Sequence, residues 1–406
     1  MSSSQASDTR RAGVFLGAAL AFMITMVGTT LPTPLYPIYQ HEFGFSDLMI
    51  TVIFAAYAVG VISALLITGQ WSDQLGRKPL LLAGLFLSAV SDIVFWQADG
   101  LGMLLTGRVL SGLSAGIFTG TATVAVMELA PRSWGRSSTL VATAANMVGL
   151  GVGPILAGAL AVLFAAPLVL PFAIHFALAL LAVVCIWRAP ETVTRPTNIK
   201  LRVQTPKIPS EVRSVFIPAA IAAFAGFMVF GFYTAATPAF LGQQMGYTNH
   251  ALIGCVAGLP FIASTVGQMC QGRLPEPGRL PIGCAVLLVG VLIIAWGIAY
   301  EQLLGFILGA IVAGIGQGIT FRAGMGAISA ASSPQHKAAT VSSFFVVAYV
   351  AISLPVVGIG LLGIVAGQQI TALTFDLIVA LLCCVALVLL LKPHRLGRGA
   401  TRDAGR

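Results

Sequence analysis

Gly69-Gln70-Trp71-Ser72-Asp73-Gln74-Leu75-Gly76-Arg77-Lys78-Pro79 is a short polar island between two long apolar runs, Ile50 to Thr68 and Leu80 to Trp96. Runs of that length suit membrane-crossing helices, which need roughly 20 apolar residues each. The island then has to be a tight connection, and its residues fit one. Gly69 and Gly76 can take the positive φ that a chain reversal asks for. Pro79 falls in the first turn of the next helix, where its missing N–H costs nothing. Asp73 lies near that helix's positive end, within reach of Arg77 and Lys78. Taken alone, the island also suits a solvated loop whose basic pair only marks the inner side of a membrane.

Composition narrows the class. Of 406 residues, 57% are hydrophobic and 9% charged, with a mean hydropathy of +0.95. A soluble domain of this length cannot cover so much apolar surface with so few charges, so the chain is expected to live in a membrane. Met1 to Arg11 is polar and the first apolar run is too long for a cleavable signal, so no signal peptide is expected. Cys185, Cys255, Cys270, Cys284, Cys383 and Cys384 all fall inside apolar runs. They read as small buried hydrophobes, which predicts neither disulfides nor a metal site.

Twelve spans are predicted, at about 12–32, 47–69, 79–97, 102–127, 139–163, 166–187, 214–241, 250–270, 281–300, 303–330, 339–362 and 369–391. Residues 188–213 are basic and Pro-rich and form the longest polar connection. The chain thus divides into a tail (1–11), a six-helix bundle (12–187), a linker (188–213), a second six-helix bundle (214–391) and a tail (392–406). With both termini inside, inner segments hold 20 of the 22 Lys and Arg; Arg108 and Arg322 lie within spans and the outer loops have none. That asymmetry predicts a multi-pass protein with both termini cytoplasmic, in a plasma membrane such as the bacterial inner membrane. The net charge of +9 is then topology, and nucleic acid is not an expected partner. Lipid is, and a monomer is expected.

A repeat runs through the chain. Adding 202 to Gly44-Phe45-Ser46-Asp47 gives Gly246-Tyr247-Thr248-Asn249, a Gly-aromatic turn followed by helix-capping residues. The same offset takes Gly76, Arg77 and Pro79 to Gly278, Arg279 and Pro281, and Gly112 and Gly116 to Gly314 and Gly318; Pro154 falls one short, at Pro355. A constant offset implies two six-helix halves of the same orientation.

Twelve spans in two parallel halves, with this loop after the second, resemble the major facilitator superfamily over almost the whole chain. The family's loop reads G-x-L-(A/S)-D-(R/K)-x-G-R-(R/K); Gly69, Ser72, Asp73, Gly76, Arg77 and Lys78 match, while Trp71 and Gln74 depart. The second copy keeps Gly278 and Arg279 but has Pro275 in place of an Asp. The resemblance implies an all-α fold of two six-helix repeats around a central cavity. It also implies a loop that latches the halves on the cytoplasmic side in the outward-open state. Glu128, at the inner end of span four, is the expected partner of Arg77, the alternative being a solvated loop acid.

Arg108 begins the series Arg108, Gly112, Gly116, which resembles the family's fourth-span motif, linked there to proton transfer. A buried Arg costs roughly 2.5–3.5 kcal/mol on insertion scales, so it needs a partner or a wet cavity. Asp92 is the expected partner: it lies ~8 Å and Arg108 ~9 Å below the outer ends of adjacent spans. Two readings stay open, a titratable pair and a permanent structural ion pair. In span five, Gly149, Gly153, Pro154 and Gly158 match a motif that the family associates with antiporters. Pure helix packing is the alternative, because Gly-rich spans are common in membranes. Asn146 shares that stripe and is a candidate substrate contact.

The second half is plainer. Gly314, Gly318 and Arg322 form an i, i+4, i+8 series, and Gln317, Phe321, Tyr233 and Gln268 are further cavity candidates. Asp376 is a tether or a titrating acid, and His175 a satisfied buried histidine or a proton carrier. The run Pro32 to Gln40 is expected to break span one at its outer end, an outer gate being the alternative. The leading functional reading is a proton-coupled exporter of small amphipathic compounds, working by alternating access. It uses the proton gradient rather than a cofactor and is not an enzyme. An importer or facilitator of a metabolite, such as a sugar or organic anion bound by Arg108 and Arg322, is the alternative. A transport-dead signalling protein would need a soluble domain or a long tail that the sequence lacks.

Overall fold

The structure, a computed structural model, describes residues 3–391 apart from 197, 200, 202, 334 and 335. The tail 392–406 and the basic linker positions Lys200 and Arg202 lie outside the described residues. The helices in chain order are α1 (Ser3–Thr30), α2 (Tyr36–Phe43), α3 (Asp47–Thr68), α4 (Trp71–Leu75), α5 (Arg77–Trp96), α6 (Leu101–Leu129), α7 (Gly135–Leu163) and α8 (Leu170–Arg188). There follow α9 (Arg213–Ala235), α10 (Thr237–Ala239), α11 (His250–Cys270), α12 (Arg279–Ala299), α13 (Leu303–Ala331), α14 (Lys337–Ala366) and α15 (Gln368–Leu391). Twelve segments are long and apolar enough to cross a membrane, α1 and α2 counting as one.

Pro32 to Gln40 breaks span one as expected: α1 stops at Thr30, and a 3-10 turn at Thr33–Leu35 leads into α2, whose first turn holds Pro37. Two expectations need correction. Gly76 takes φ +104, but Gly69 stays helical at φ −54, so a single left-handed residue makes the reversal. Cys255 and Cys384 are exposed rather than buried. Lipid, unlike water, exacts no cost for that exposure, so hydropathy does not reveal which side of a span faces the bilayer.

The 202-residue offset carries conformation as well as residue type. Gly44 and Gly246 both close their turns in the left-handed region, at φ 68 and 75. Gly112 and Gly116 press α6 onto Tyr57, Val61 and Ala64 of α3, while Gly314 and Gly318 press α13 onto Pro260, Ala263 and Ser264 of α11. An added Cβ at any of the four would collide with the facing helix. Close approach of this kind is what holds helices together in lipid, where hydrophobic burial supplies little.

The first six spans meet the last six mainly through α7 on α11 and α3 on α14. We call the surface bearing Arg77 and Lys78 the basic face and its opposite the far face. The tightest α7–α11 contacts lie from mid-span outward to the far face: Gly151 on Gly258, the Pro154 carbonyl on Gly254, and Gly158 on the His250 backbone. Gly360 of α14 likewise abuts Thr51 and Leu48 of α3. Polar bonds close the same face. The Asp47 carboxylate accepts from Gln40 (2.6 Å), Gln243 (3.1 Å) and Gln368 (3.4 Å), and His250 Nδ1 lies 3.0 Å from the Pro34 carbonyl. On the basic face, the segment after α8 donates from Gln204 N to the Leu66 carbonyl and from Lys207 N to Ser343 Oγ, joining α3 to α14.

Candidate functional site

The loop residues come together around Arg77. Its guanidinium donates to Ser72 Oγ (2.6 Å), pairs with Asp73 (2.6 Å), and meets Glu128 at 3.2 Å. Two residues that sequence reasoning missed complete the cluster. The Glu191 carboxylate accepts from the backbone N–H of Arg77 (2.9 Å) and Lys78 (3.2 Å), capping α5 at its positive end. Thr192 Oγ1 donates to Glu128, and Lys78 Nζ donates to the carbonyls of Trp187 and Ala189 that end α8. The signal available was Glu191 itself, an acid at the start of a connection whose charges are mostly basic. Arg77 and Lys78 thus tie α4, α5, α6 and the end of α8, all within the first six spans. Among the described residues, Arg77 and Lys78 have no hydrogen-bond or ion-pair partner in the last six spans, where the family-based picture of a latch across the halves would put one.

Burial raises the Glu191 carboxyl, but the amides of Arg77, Val193, Lys78 and Thr192 more than offset it and hold it below the usual glutamate range. A lowered folded value means the cap is present above the ordinary glutamate pKa of about 4.3 and is lost only as pH falls through the still lower folded value. The cap is therefore intact throughout the neutral range. We expect Glu191→Ala to raise amide hydrogen exchange at Arg77 and Lys78 at neutral pH; unchanged protection would remove Glu191 from the cluster.

Deeper in the first six spans, the expected Asp92–Arg108 pair does not form. Asp92 instead meets His175 of α8, with Nδ1 at 2.8 and 2.9 Å from the two carboxylate oxygens. His175 Nε2 lies 2.8 Å from the Ile24 carbonyl of α1. The reason is rotational: Gly28 of α1 leaves no room for a Cβ beside the imidazole, so the ring fills the space between α1 and α5. Both members are buried, at 3% and 0% exposure. The geometry dictates the proton count. A carbonyl only accepts, so Nε2 carries a hydrogen. Nδ1 faces a carboxylate, and two bare acceptors at that distance would repel, so one proton lies between them. The pair as a whole is neutral, and removing that proton would leave a net negative charge in a dry site.

Arg108, 2% exposed, is held otherwise. Its Nη1 donates to the Thr29 carbonyl (2.6 Å), and the guanidinium lies 4.5 Å from the Tyr57 ring centroid and 5.5 Å from that of Phe54. Its Nε has no hydrogen-bond partner, and among the described residues no carboxylate pairs with it. Arg108, Asn146 and Phe321 line a central cavity of about 30 Å³ between the halves. Its walls include Tyr57 of α3 and Tyr349 of α14, which sequence reasoning also missed; a tyrosine in mid-span was the available signal. Tyr349 OH lies 3.3 Å from Thr119 Oγ1.

Four candidates lie elsewhere. Tyr233 donates to the Phe306 carbonyl (2.7 Å), Gln317 accepts from Ser264 (2.6 Å), Gln268 donates to the same Ser264 (3.4 Å), and Arg322 donates to the Gln268 carbonyl. Gly314 and Gly318 bring α13 close enough to α11 for Ser264, Gln268, Gln317 and Arg322 to bond one another between the helices, while Gln268 Oε1 and Gln317 Nε2 stay without a partner among the described residues. Asp376, 2% exposed, sits apart on α15 with Oδ2 unpartnered. The span-five glycines split between two neighbours. Gly149 and Gly153 face α1, at Met23, Met26, Val27 and Thr30, whereas Gly158 faces α11. Pro154 cannot donate to the Leu150 carbonyl, and Thr30 Oγ1 donates to it instead, at 2.8 Å.

Twelve apolar spans, tightly packed through small residues and enclosing a mid-depth cavity, define a polytopic membrane protein built for transport. The family model of the Major Facilitator Superfamily matches residues 18–356, and the chain belongs to that superfamily. Members of that superfamily are transporters rather than enzymes. Multidrug resistance protein 1 of Bacillus subtilis (strain 168) is 26% identical over 258 residues, 61% of this chain. Quinolone resistance protein NorA of Staphylococcus aureus is 25% identical over 139 residues, 33% of this chain. The chain spans 62% and 36% of the lengths of these two relatives. Among solved structures, a bacterial homolog of the human lysosomal transporter Spinster, inward-facing and unoccupied, superposes with a TM-score of 0.74 at 16% identity, over 94% of this chain and 98% of that one. The human organic anion transporter MFSD10 gives 0.65 at 18%, over 94% and 99%. Both likenesses concern the fold.

Proposed function

We propose that this transporter is a proton-coupled exporter of small amphipathic compounds, working by alternating access of residues 12–187 against 214–391. The observation that carries the reading is the buried His175–Asp92 contact, whose geometry calls for one shared proton. It lies one peptide away from the cavity: Gly28 packs on the imidazole while Thr29 holds Arg108. A change in that proton moves charge where water cannot screen it, and α1 is positioned to feel the change. The basic face is cytoplasmic by the positive-inside rule, which puts both termini inside. The far face is held shut here, so cycling requires the α7–α11 and α3–α14 seams to part. Export of drug-like compounds is favoured by the names of the two bacterial relatives.

The test is accumulation of a fluorescent amphipathic dye in inside-out vesicles with an acidic lumen, compared at two external pH values. Uptake that collapses with a protonophore supports the reading; uptake indifferent to the gradient refutes it. In the same vesicles we expect Asp73→Asn to slow cycling severalfold while dye binding persists, because Asp73 meets Arg77 and lies far from the cavity. Lost binding would move Asp73 to a substrate role.

A further inference from the structure

The central cavity is unusual in its charge. Its lining holds one cation, Arg108, and among the described residues no acidic side chain. The guanidinium is almost wholly buried, spends one hydrogen bond on Thr29, and leaves Nε without a partner among the described residues. Asn146, 9% exposed, also faces this space with Oδ1 unpartnered. Among the described residues, the other acid near this depth in the first six spans is Asp92, and it is paired with His175. The Tyr57 and Phe54 rings stabilise the cation through their faces, but a ring contributes no counter-charge. Apart from Thr29, Thr30 and Thr234, the remaining walls are apolar or aromatic, Phe227, Phe261 and Phe345 among them.

We infer that the central site of this transporter selects organic anions, a carboxylate or comparable monoanionic head on an aromatic or apolar body. The head group meets Arg108 and the body lies between the aromatic side chains of the two halves. An arginine binds a planar carboxylate through paired, charge-assisted hydrogen bonds, which are about twice as strong as neutral ones. An organic cation entering the same space would face Arg108 with no acidic side chain in the lining to offset the repulsion. The Asn146 amide accepts from a hydroxyl or N–H elsewhere on the substrate. At about 30 Å³ the cavity is closed down in this state. Phe54 and Tyr57 come from the first six spans and Phe321, Phe345 and Tyr349 from the last six, so parting the halves widens it. This selectivity rests on the exporter reading only in assigning the cavity to the substrate; it does not depend on the proton.

The experiment compares three probes of one shape on the purified full-length protein: naphthoate, naphthylmethylammonium and the neutral naphthylmethanol. Binding is measured by equilibrium dialysis. Naphthoate is expected to bind at least about tenfold tighter than the ammonium, which corresponds to ~1.4 kcal/mol, with the alcohol between. Arg108→Gln should collapse that ratio to near unity, and Arg108→Lys should keep part of it. Equal or reversed affinities in the parent protein overturn the inference, as does a ratio unchanged in Arg108→Gln, or no naphthoate binding at millimolar concentration. If Arg108→Gln does not survive size-exclusion chromatography, the parent ratio and the Lys variant decide. Arg108-dependent naphthoate binding without gradient-driven accumulation keeps the anion site and sinks the exporter reading. Gradient-driven uptake of the ammonium without naphthoate binding does the reverse.

Discussion

Asp92→Asn is expected to abolish gradient-driven accumulation while leaving the protein folded and able to exchange substrate down its gradient. The reason lies in the hydrogen-bond count around His175. With asparagine in place, the amide N–H donates to Nδ1 and Nε2–H still donates to the Ile24 carbonyl. Both imidazole nitrogens keep a partner, the imidazole stays neutral, and the shared proton is gone. His175→Ala is the contrasting variant. It strands a carboxylate 3% exposed, and breaking a buried pair by removing one member typically costs ~3–5 kcal/mol. That change should lower expression and thermal stability as well as transport. Substrate counterflow measured across a pH series separates the cases: a flat profile is expected for Asp92→Asn, and gradient-driven accumulation that survives in it would place the coupling proton elsewhere.

Gly258→Leu is expected to shift the molecule away from the far-face-closed arrangement. An added Cβ at Gly258 collides with the Gly151 carbonyl on the other half, and a leucine adds bulk along the same seam. Overpacking of this kind costs roughly 1–3 kcal/mol, which moves a two-state equilibrium by about 5–150-fold. Because the strain falls between halves rather than inside one, the molecule can relieve it by parting them at that face. Gly149→Leu is the control. Its side chain would strike Met23 and Met26 of α1, within the same half, so it should reduce stability without favouring either face. The readout is alkylation of a cysteine placed at Tyr349 by a membrane-impermeant reagent added from the far face. Faster labelling is expected for Gly258→Leu; labelling no faster than in its parent would mean the glycine seam does not control opening.

The spans and the basic loop were legible in the chain because both depend on local quantities, the length of an apolar run and the side on which Lys and Arg gather. The parts of the Arg77 cluster that lie within a few residues of one another, Ser72 and Asp73, were equally visible. Glu191 was not, because it approaches from more than a hundred residues away and only the end of α8 brings it over the start of α5. The Asp92–Arg108 expectation failed for a related reason. The two residues do lie at similar depths in neighbouring spans, but depth is only one of two coordinates. The other is rotation about the helix axis, where one residue turns a side chain by about 100°.

Hydropathy and charge thus determined on their own that this chain crosses a membrane twelve times, and that its basic loops gather on one side. A repeated offset further implied that its second six spans echo the first. Helix rotation and approach, set by where Gly28, Gly112, Gly258 and Gly314 let backbones meet, decided the rest. They paired Asp92 with His175, left Arg108 without a counter-charge, and drew Gln268, Gln317 and Arg322 out of the cavity. Those pairings rest on contacts between distant segments a few ångströms apart, and no pattern along one helix specifies which neighbour a given face will meet.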